Sequence, residues 1–163
     1  MKHVTRSLLV RRGLGLALLV AVAPLLTLFS KAAPAETKPE FFEGQVVPLA
    51  EIVAKIGSKL DDDAAPHWMA LVTKDGKTYP LIKDDGSRMF FKDATLLKRP
   101  MRLTARLLPD THLLQVVEVH SLRKGELHEV YYWCEVCSIK RFEKKICDCC
   151  GGPMELREVP AKK

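Results

Sequence analysis

The chain has 163 residues, 47% of them hydrophobic, with 26 Lys and Arg against 20 Asp and Glu for a net charge of +6. That length excludes more than one ordinary domain plus a small appendage. Five of the basic residues and none of the acidic ones lie in residues 1–35, so the remainder carries +1. Its charge balance therefore gives no argument for a nucleic-acid partner, and none is expected.

Residues 1–35 read as a signal peptide. Lys2, Arg6, Arg11 and Arg12 precede an apolar run over 13–29, broken only by Pro24 and Thr27, and Ala33-Pro34-Ala35 supplies small residues where a signal peptidase cuts. The run reaches the short edge of the roughly 17–25 residues that cross a bilayer, so an uncleaved anchor is the alternative. Arg11-Arg12 resembles a twin-arginine address, leaving Sec and Tat export open. The absence of a cysteine near the cleavage point argues against a lipoprotein. The expected location is the periplasm or cell envelope, with membrane contact only through this segment if it stays uncleaved.

Residues 36–40, with Pro39 among charges, read as a short leader. From 41 to 128 the apolar pattern mostly alternates and turn residues recur at strand spacing. Gln45-Val46-Val47 opens a strand. Leu49, Ile52, Val53 and Ile56 then fall at i, i+3, i+4 and i+7, which suits a helical turn or two or a long curved strand. After the loop marked by Asp61-Asp62-Asp63 and Pro66 come strands over 68–74 and 77–83. Asp75-Gly76 between them predicts a two-residue type I′ hairpin, in which both central residues take positive φ. Asp84-Asp85-Gly86-Ser87 predicts a second turn before a short run over 88–91. Asp93 is the expected N-cap of a short helix through Ala94, Leu96 and Leu97, stopped by Pro100. Strands over 101–108 and 113–122 follow, with Leu103, Ala105 and Leu107 facing one way and Arg102, Thr104 and Arg106 the other.

This order of strands around one short helix, with Asp75-Gly-Lys-Thr-Tyr-Pro-Leu and Arg102-Leu-Thr-Ala-Arg, resembles exported OB-fold-like domains of bacterial proteins. The resemblance implies a mainly β fold with a small five-stranded Greek-key barrel over 41–128. An SH3-like barrel and an irregular β-sandwich are the alternatives.

Residues 129–160 hold the motif of highest information content. Cys134-Glu-Val-Cys137 and Cys147-Asp-Cys-Cys150 are two Cys-x-x-Cys pairs separated by nine residues. Two intervening residues let one turn aim both sulfurs at an ion, and four thiolates can surround Zn²⁺ as a tetrahedron at about 2.3 Å. Gly151 suits a turn that needs positive φ. Cys147 and Cys149 would make a tighter pair, so the assigned metal ligands are Cys134, Cys137, Cys147 and Cys150, and Cys149 is left free. The motif resembles short zinc ribbons and, more loosely, rubredoxin. The expected ion is Zn²⁺, with Fe as the alternative for the same ligand set. Ser138 departs from the pattern where a glycine often sits in the first knuckle, and Cys149 is an extra thiol in the second.

Two disulfides with one odd cysteine compete with the metal in an exported chain. Trp133-Cys-Glu-Val-Cys137 also resembles the Trp-Cys-x-x-Cys of thioredoxin-like oxidoreductases, but the βαβ context of that fold is missing. Covalent haem is excluded because Ser138 and Gly151, not His, follow the pairs. Four thiolates leave no open coordination position, and a tail of about 30 residues needs a staple to fold, so the site is expected to be structural.

His67, His112, His120 and His128 show no catalytic spacing, although His120 and His128 are candidates for contact with the ligand shell. No nucleophile elbow, phosphate-binding loop or His-Glu-x-x-His is present. Lys140, Arg141, Lys144 and Lys145, relieved by Glu143, read as a solvated hairpin or as a contact for an anionic surface extended by Lys98, Arg99, Arg102 and Arg106. Tyr79, Phe90, Phe91, Tyr131 and Tyr132 read as core or as stacking surfaces. The whole reads as an exported, non-enzymatic metal-binding or assembly module whose partner is a protein or an anionic surface. The alternative is an exported thiol-disulfide redox or iron electron-transfer protein.

Overall fold

The structure, a computed structural model, describes residues 37–162. The expected signal peptide at 1–35 lies outside the described residues. Among those described, no helix is long and apolar enough to cross a membrane.

Strand β1 (Glu40–Pro48) is long enough to serve two neighbours. Its first half pairs antiparallel with β4 (Pro100–Leu107) and its second half with β2 (Met69–Thr73). The changeover falls at Gly44, which pairs with both Thr73 and Met101. A Cβ there would stand 2.2 Å from the Val72 carbonyl oxygen, so the close approach requires glycine. Helix α1 (Leu49–Lys55) takes up the i, i+3, i+4 spacing and stops before Gly57 at φ 79, which settles that segment as helix.

Strand β3 (Thr78–Pro80) pairs with β2. The turn between them differs from the two-residue expectation. Gly76 alone is at positive φ (80), Gly76 N–H donates to Thr73 O, and Thr73 N–H donates to Lys77 O. That is a three-residue loop, a type I turn closed by a left-handed glycine. Asp75 keeps negative φ and accepts from Thr73 Oγ1 instead. The two-residue turn with both residues at positive φ occurs between β5 (Leu114–Arg123) and β6 (Glu126–Cys134), at Lys124 (50) and Gly125 (84).

The run over 88–91 is helical, as α2 (Met89–Lys92). Met89 and Phe90 are buried and belong to the core cluster that also holds Leu71 and Leu103. Asp93 caps the following 3-10 turn (Ala94–Leu96), its Oδ1 accepting from Thr95 N–H at 3.0 Å, as the sequence predicts.

Along β4, Met101, Leu103 and Ala105 are buried and alternate with Arg102, Thr104 and Arg106. Strand β5 begins with Leu114 and Val116 inward but continues with Val119 and Ser121 inward. The parity changes because Ala105 pairs with Val116 while Thr104 pairs with Glu118, leaving Val117 as the extra residue of a bulge. Strand β6, which the alternation in the sequence did not disclose, runs unbroken across residues 128 and 129. It pairs with β5, with β7 (Ile139–Arg141) and with β8 (Glu155–Pro160).

The result is a mainly β, antiparallel sheet in the order β3-β2-β1-β4-β5-β6-β7, with β8 also on β6. The expected barrel is not closed by a ladder. Strands β3 and β5 approach at one isolated parallel bridge, Leu81 to Leu114, with Ile82 N–H donating to Leu114 O at 2.9 Å. Pro80 ends β3 early and its missing N–H cannot extend the pairing, so the sheet is open along this seam.

Candidate metal centre

The first cysteine turn is set by the period of β6. Val130, Tyr132 and Cys134 occupy alternate, inward positions and are all buried, so Cys134 extends the row that builds the core. Cys134 pairs with Ile139 across the turn that starts β7. Ser138 adopts φ 53, the left-handed conformation that a glycine takes without strain. The second turn repeats the plan: Cys147 N–H donates to Gly152 O at 2.8 Å, Gly151 N–H donates to Cys147 O at 2.9 Å, and Gly151 has φ 69. In each turn the leading sulfur accepts backbone N–H groups from the third and fourth residues, Val136 and Cys137 for Cys134, Cys149 and Cys150 for Cys147.

These two turns face each other. The sulfurs of Cys134, Cys137, Cys147 and Cys150 all lie within 4.8 Å of one another, and Cys134 and Cys150 are 3.5 Å apart. A tetrahedron of thiolates about 2.3 Å from a central ion has edges of about 3.8 Å, so this spacing fits one ion held by four sulfurs. Cys134 and Cys147 are 1% and 2% exposed, whereas Cys137 is half-buried and Cys150 exposed. One side of the centre is thus dry and the other faces solvent.

The electrostatics point the same way. The N–H groups of Cys150 and Cys149 hold the Cys147 thiol down at about 6. The Cys137 N–H lowers Cys134, but burial and the Cys147 and Cys150 thiols outweigh it and the net shift is upward. The Cys149 and Cys150 thiols, then burial, push Cys137 up. Four sulfurs this close cannot all ionise alone, because like charges in a poorly solvated site repel. A bound divalent cation supplies the missing positive charge and deprotonates coordinating thiols. The ligand set therefore fits a metal ion of thiophilic type, with no fifth protein donor among the grouped residues.

The centre is built onto the core. Cys134, Cys147 and Met154 belong to the same buried cluster as Leu71, Met101 and Val130. Beside it, Tyr132 Oη donates to Asp93 Oδ2 at 2.7 Å, and Asp93 also accepts from Thr95 Oγ1 at 2.6 Å and lies 3.5 Å from Lys144 Nζ. Burial pushes the Asp93 carboxyl up, yet the donors from Thr95 and Tyr132 and the Lys144 charge more than reverse this and hold it at about 2. Asp93 so joins the α2 segment, β6 and the loop between the two cysteine pairs. A second buried carboxylate, Glu158 on β8, receives both oxygens' worth of Arg99 at 2.8 Å, Ser121 Oγ at 2.5 Å and Arg123 at 3.0 Å. It locks the last strand to β5. The role of Tyr132 was legible only as an aromatic residue; its position two before Cys134 was the signal that it points inward with the ligand.

Several sequence candidates fall elsewhere. His120 pairs with Glu129 and His128 with Ser121, five and six residues up β6 from Cys134, about 16–20 Å along the strand, and neither joins the cysteine group. His67 is exposed beside Lys83, and His112 is exposed. The basic stretch is largely engaged with the protein's own carboxylates: Lys140 with Glu129, Lys144 with Asp93, and Lys145 with Asp148 at 2.6 Å. Lys98, Arg99 and Arg102 pair with Glu51, Glu158 and Glu43. Phe90 and Tyr132 are core, Tyr79 packs edge-on to Phe42 at 5.3 Å, and Phe91 lies under Lys83. No family model, characterised protein or solved structure matches this chain.

Proposed function

We propose that this chain is an exported, non-enzymatic binding or assembly module: an OB-type barrel carrying a zinc ribbon whose four-cysteine centre is structural. The observation that carries the reading is the mutual placement of Cys134, Cys137, Cys147 and Cys150 within 4.8 Å. A full shell of four thiolates leaves no coordination position for substrate or activated water. Zn²⁺ has no preferred geometry or redox chemistry to disturb this shell, and contributes folding free energy of about 10–16 kcal/mol in finger peptides.

The barrel reading is supported by the β1-β2-β3 meander, the return of β4 to β1, the short helix between β3 and β4, and the parallel contact of Leu81 with Leu114. Export is supported by the charged start, apolar run and Ala33-Pro34-Ala35 of the sequence. A protein partner is favoured over an anionic surface, because the basic residues that would form such a surface are mostly paired within the chain.

Metal analysis with thiol counting on the protein purified without reductant tests this. One equivalent of zinc with four protected thiols is the expected result. Two disulfides without metal would overturn it, and a coloured, redox-active iron centre would move the function to electron transfer.

A further inference from the structure

The seam left open between β3 and β5 holds a cavity outside the metal centre. Beyond Pro80 the chain follows the start of β5 only through the Leu81 to Leu114 bridge and the Ile82 N–H bond to Leu114 O. The cavity there, of about 350 Å³, is lined by His67, Trp68, Leu81, Ile82, Lys83 and Leu113. That volume lies within the roughly 300–1,000 Å³ of small-molecule sites, whose usual lining is apolar with a few polar groups. Leu81 is buried and Ile82 and Leu113 are half-buried, while Trp68 stays 43% exposed. An indole left this open beside an apolar floor offers a flat face to a second ring.

The charge on this cavity is one-sided. No carboxylate lines it. Lys83 Nζ lies 3.1 Å from His67 Nδ1 and 5.1 Å from the centre of the Phe91 ring, and these are its only partners among the described residues. An ammonium has donors and no acceptor, so it donates to Nδ1, and the imidazole that accepts is neutral with its proton on Nε2. The carboxylates next in the chain are engaged elsewhere: Asp84 Oδ2 accepts from Gln115 Nε2 at 3.1 Å, and Asp85 pairs with Arg88 at 2.8 Å. Lys98, Lys140, Lys144 and Lys145 each meet a carboxylate. Lys83 is held instead by an imidazole and a ring, and two of its three N–H groups remain for a ligand.

We propose that the cavity binds a small aromatic carboxylate, its ring stacked on Trp68 over Leu81, Ile82 and Leu113 and its carboxylate accepting from Lys83 Nζ. One ammonium matches a monoanion, whereas a phosphate dianion needs a second cation and His67 is neutral in this arrangement. The aromatic contact supplies most of the apolar burial, and the charge-assisted hydrogen bond at the mouth fixes the ligand's orientation. The cavity shares no residue with the four-cysteine group, so it stands or falls apart from the metal.

The test uses the full chain and two probes of the same shape, 1-naphthaleneacetate and the neutral 1-naphthaleneacetamide, titrated by calorimetry and mapped by amide chemical shifts. The expected result is one saturable site for the carboxylate, with shifts centred on residues 67–68, 81–83 and 113, and an amide that binds about tenfold more weakly. Lys83→Met should bring the carboxylate down to the affinity of the amide and leave the amide unchanged, and Lys83→Arg should retain most of the difference. Trp68→Ala should weaken both probes by about threefold to tenfold. Both side chains are exposed, and circular dichroism checks that each variant is folded; Trp68→Tyr serves where Trp68→Ala is not. No saturable binding of the carboxylate at millimolar concentration overturns the proposal. So do equal affinities for the two probes, carboxylate binding unaffected by Lys83→Met, or shifts centred away from these residues. Octanoate bound as tightly as naphthaleneacetate overturns the assignment to an aromatic ligand.

Discussion

Asp93→Asn removes one charge and changes no volume, at the point where three segments meet. The carboxylate is 5% exposed, and its environment lowers its pKa from 3.8 to about 2. A shift of that size corresponds to about 2 kcal/mol of stability in the ionised form. The sign follows from the direction. Because the folded pKa is depressed, the stabilisation is fully present above the unfolded value near 4 and is lost as pH falls toward 2. Wild-type and variant protein should therefore differ by about 2 kcal/mol near neutrality, which for a chain of this size moves the urea midpoint down by about 1 M. The gap should close on acidification from about pH 4 to about pH 2. Acid also releases metal by protonating thiolates, but it does so in both proteins, so the difference between them isolates Asp93. Matched urea titrations followed by circular dichroism supply the assay. An Asn variant as stable as wild type at neutral pH, or one whose deficit persists unchanged in acid, would refute the assignment of Asp93 as an ionised tie between β6 and its neighbours.

Other substitutions test separate joints. Ser138→Gly should stabilise the metal-loaded protein by about 0.5–1 kcal/mol by removing left-handed strain, whereas Gly151→Ala at φ 69 should destabilise it by about 1 kcal/mol; thermal melts at saturating zinc distinguish them. Gly44→Ala drives a Cβ against the Val72 carbonyl and should cost about 3 kcal/mol in denaturant titration, while Gly125→Ala, with open space around its Cβ, should show only the smaller penalty of φ 84. Arg99→Ala strips the nearly buried Glu158 of the guanidinium whose Nη2 reaches both its oxygens but leaves Arg123 and Ser121, so a loss of about 1–3 kcal/mol is expected, read by hydrogen exchange as faster opening of β8.

How much could be read from the chain alone depends on how local each interaction is. The alternation of β4, the cap at Asp93 and the spacing of the cysteine pairs are contacts within a few residues, and the structure carries all three. The hairpin at Asp75-Gly76 was misjudged because the same dipeptide serves a three-residue loop once Thr73 ties itself to Lys77. Strand β6 does not alternate apolar with polar because three of its outward positions hold Leu127, Tyr131 and Trp133. Two of these are covered by cations from the strands paired with β6: Lys140 of β7 lies over Tyr131 and Arg157 of β8 over Trp133.

The sequence by itself determined the ligand types, their spacing within each turn and the mainly β character, since side-chain period and turn chemistry are properties of short segments. Only tertiary structure decided that the two cysteine pairs converge, that Cys134 and Cys147 sit in the main core while Cys137 and Cys150 lie nearer solvent, and that the sheet stays open at Leu81 and Leu114. Those outcomes depend on which strand β6 pairs with and on the bulge that re-aims β5, and such long-range pairings leave no mark in any one stretch of chain.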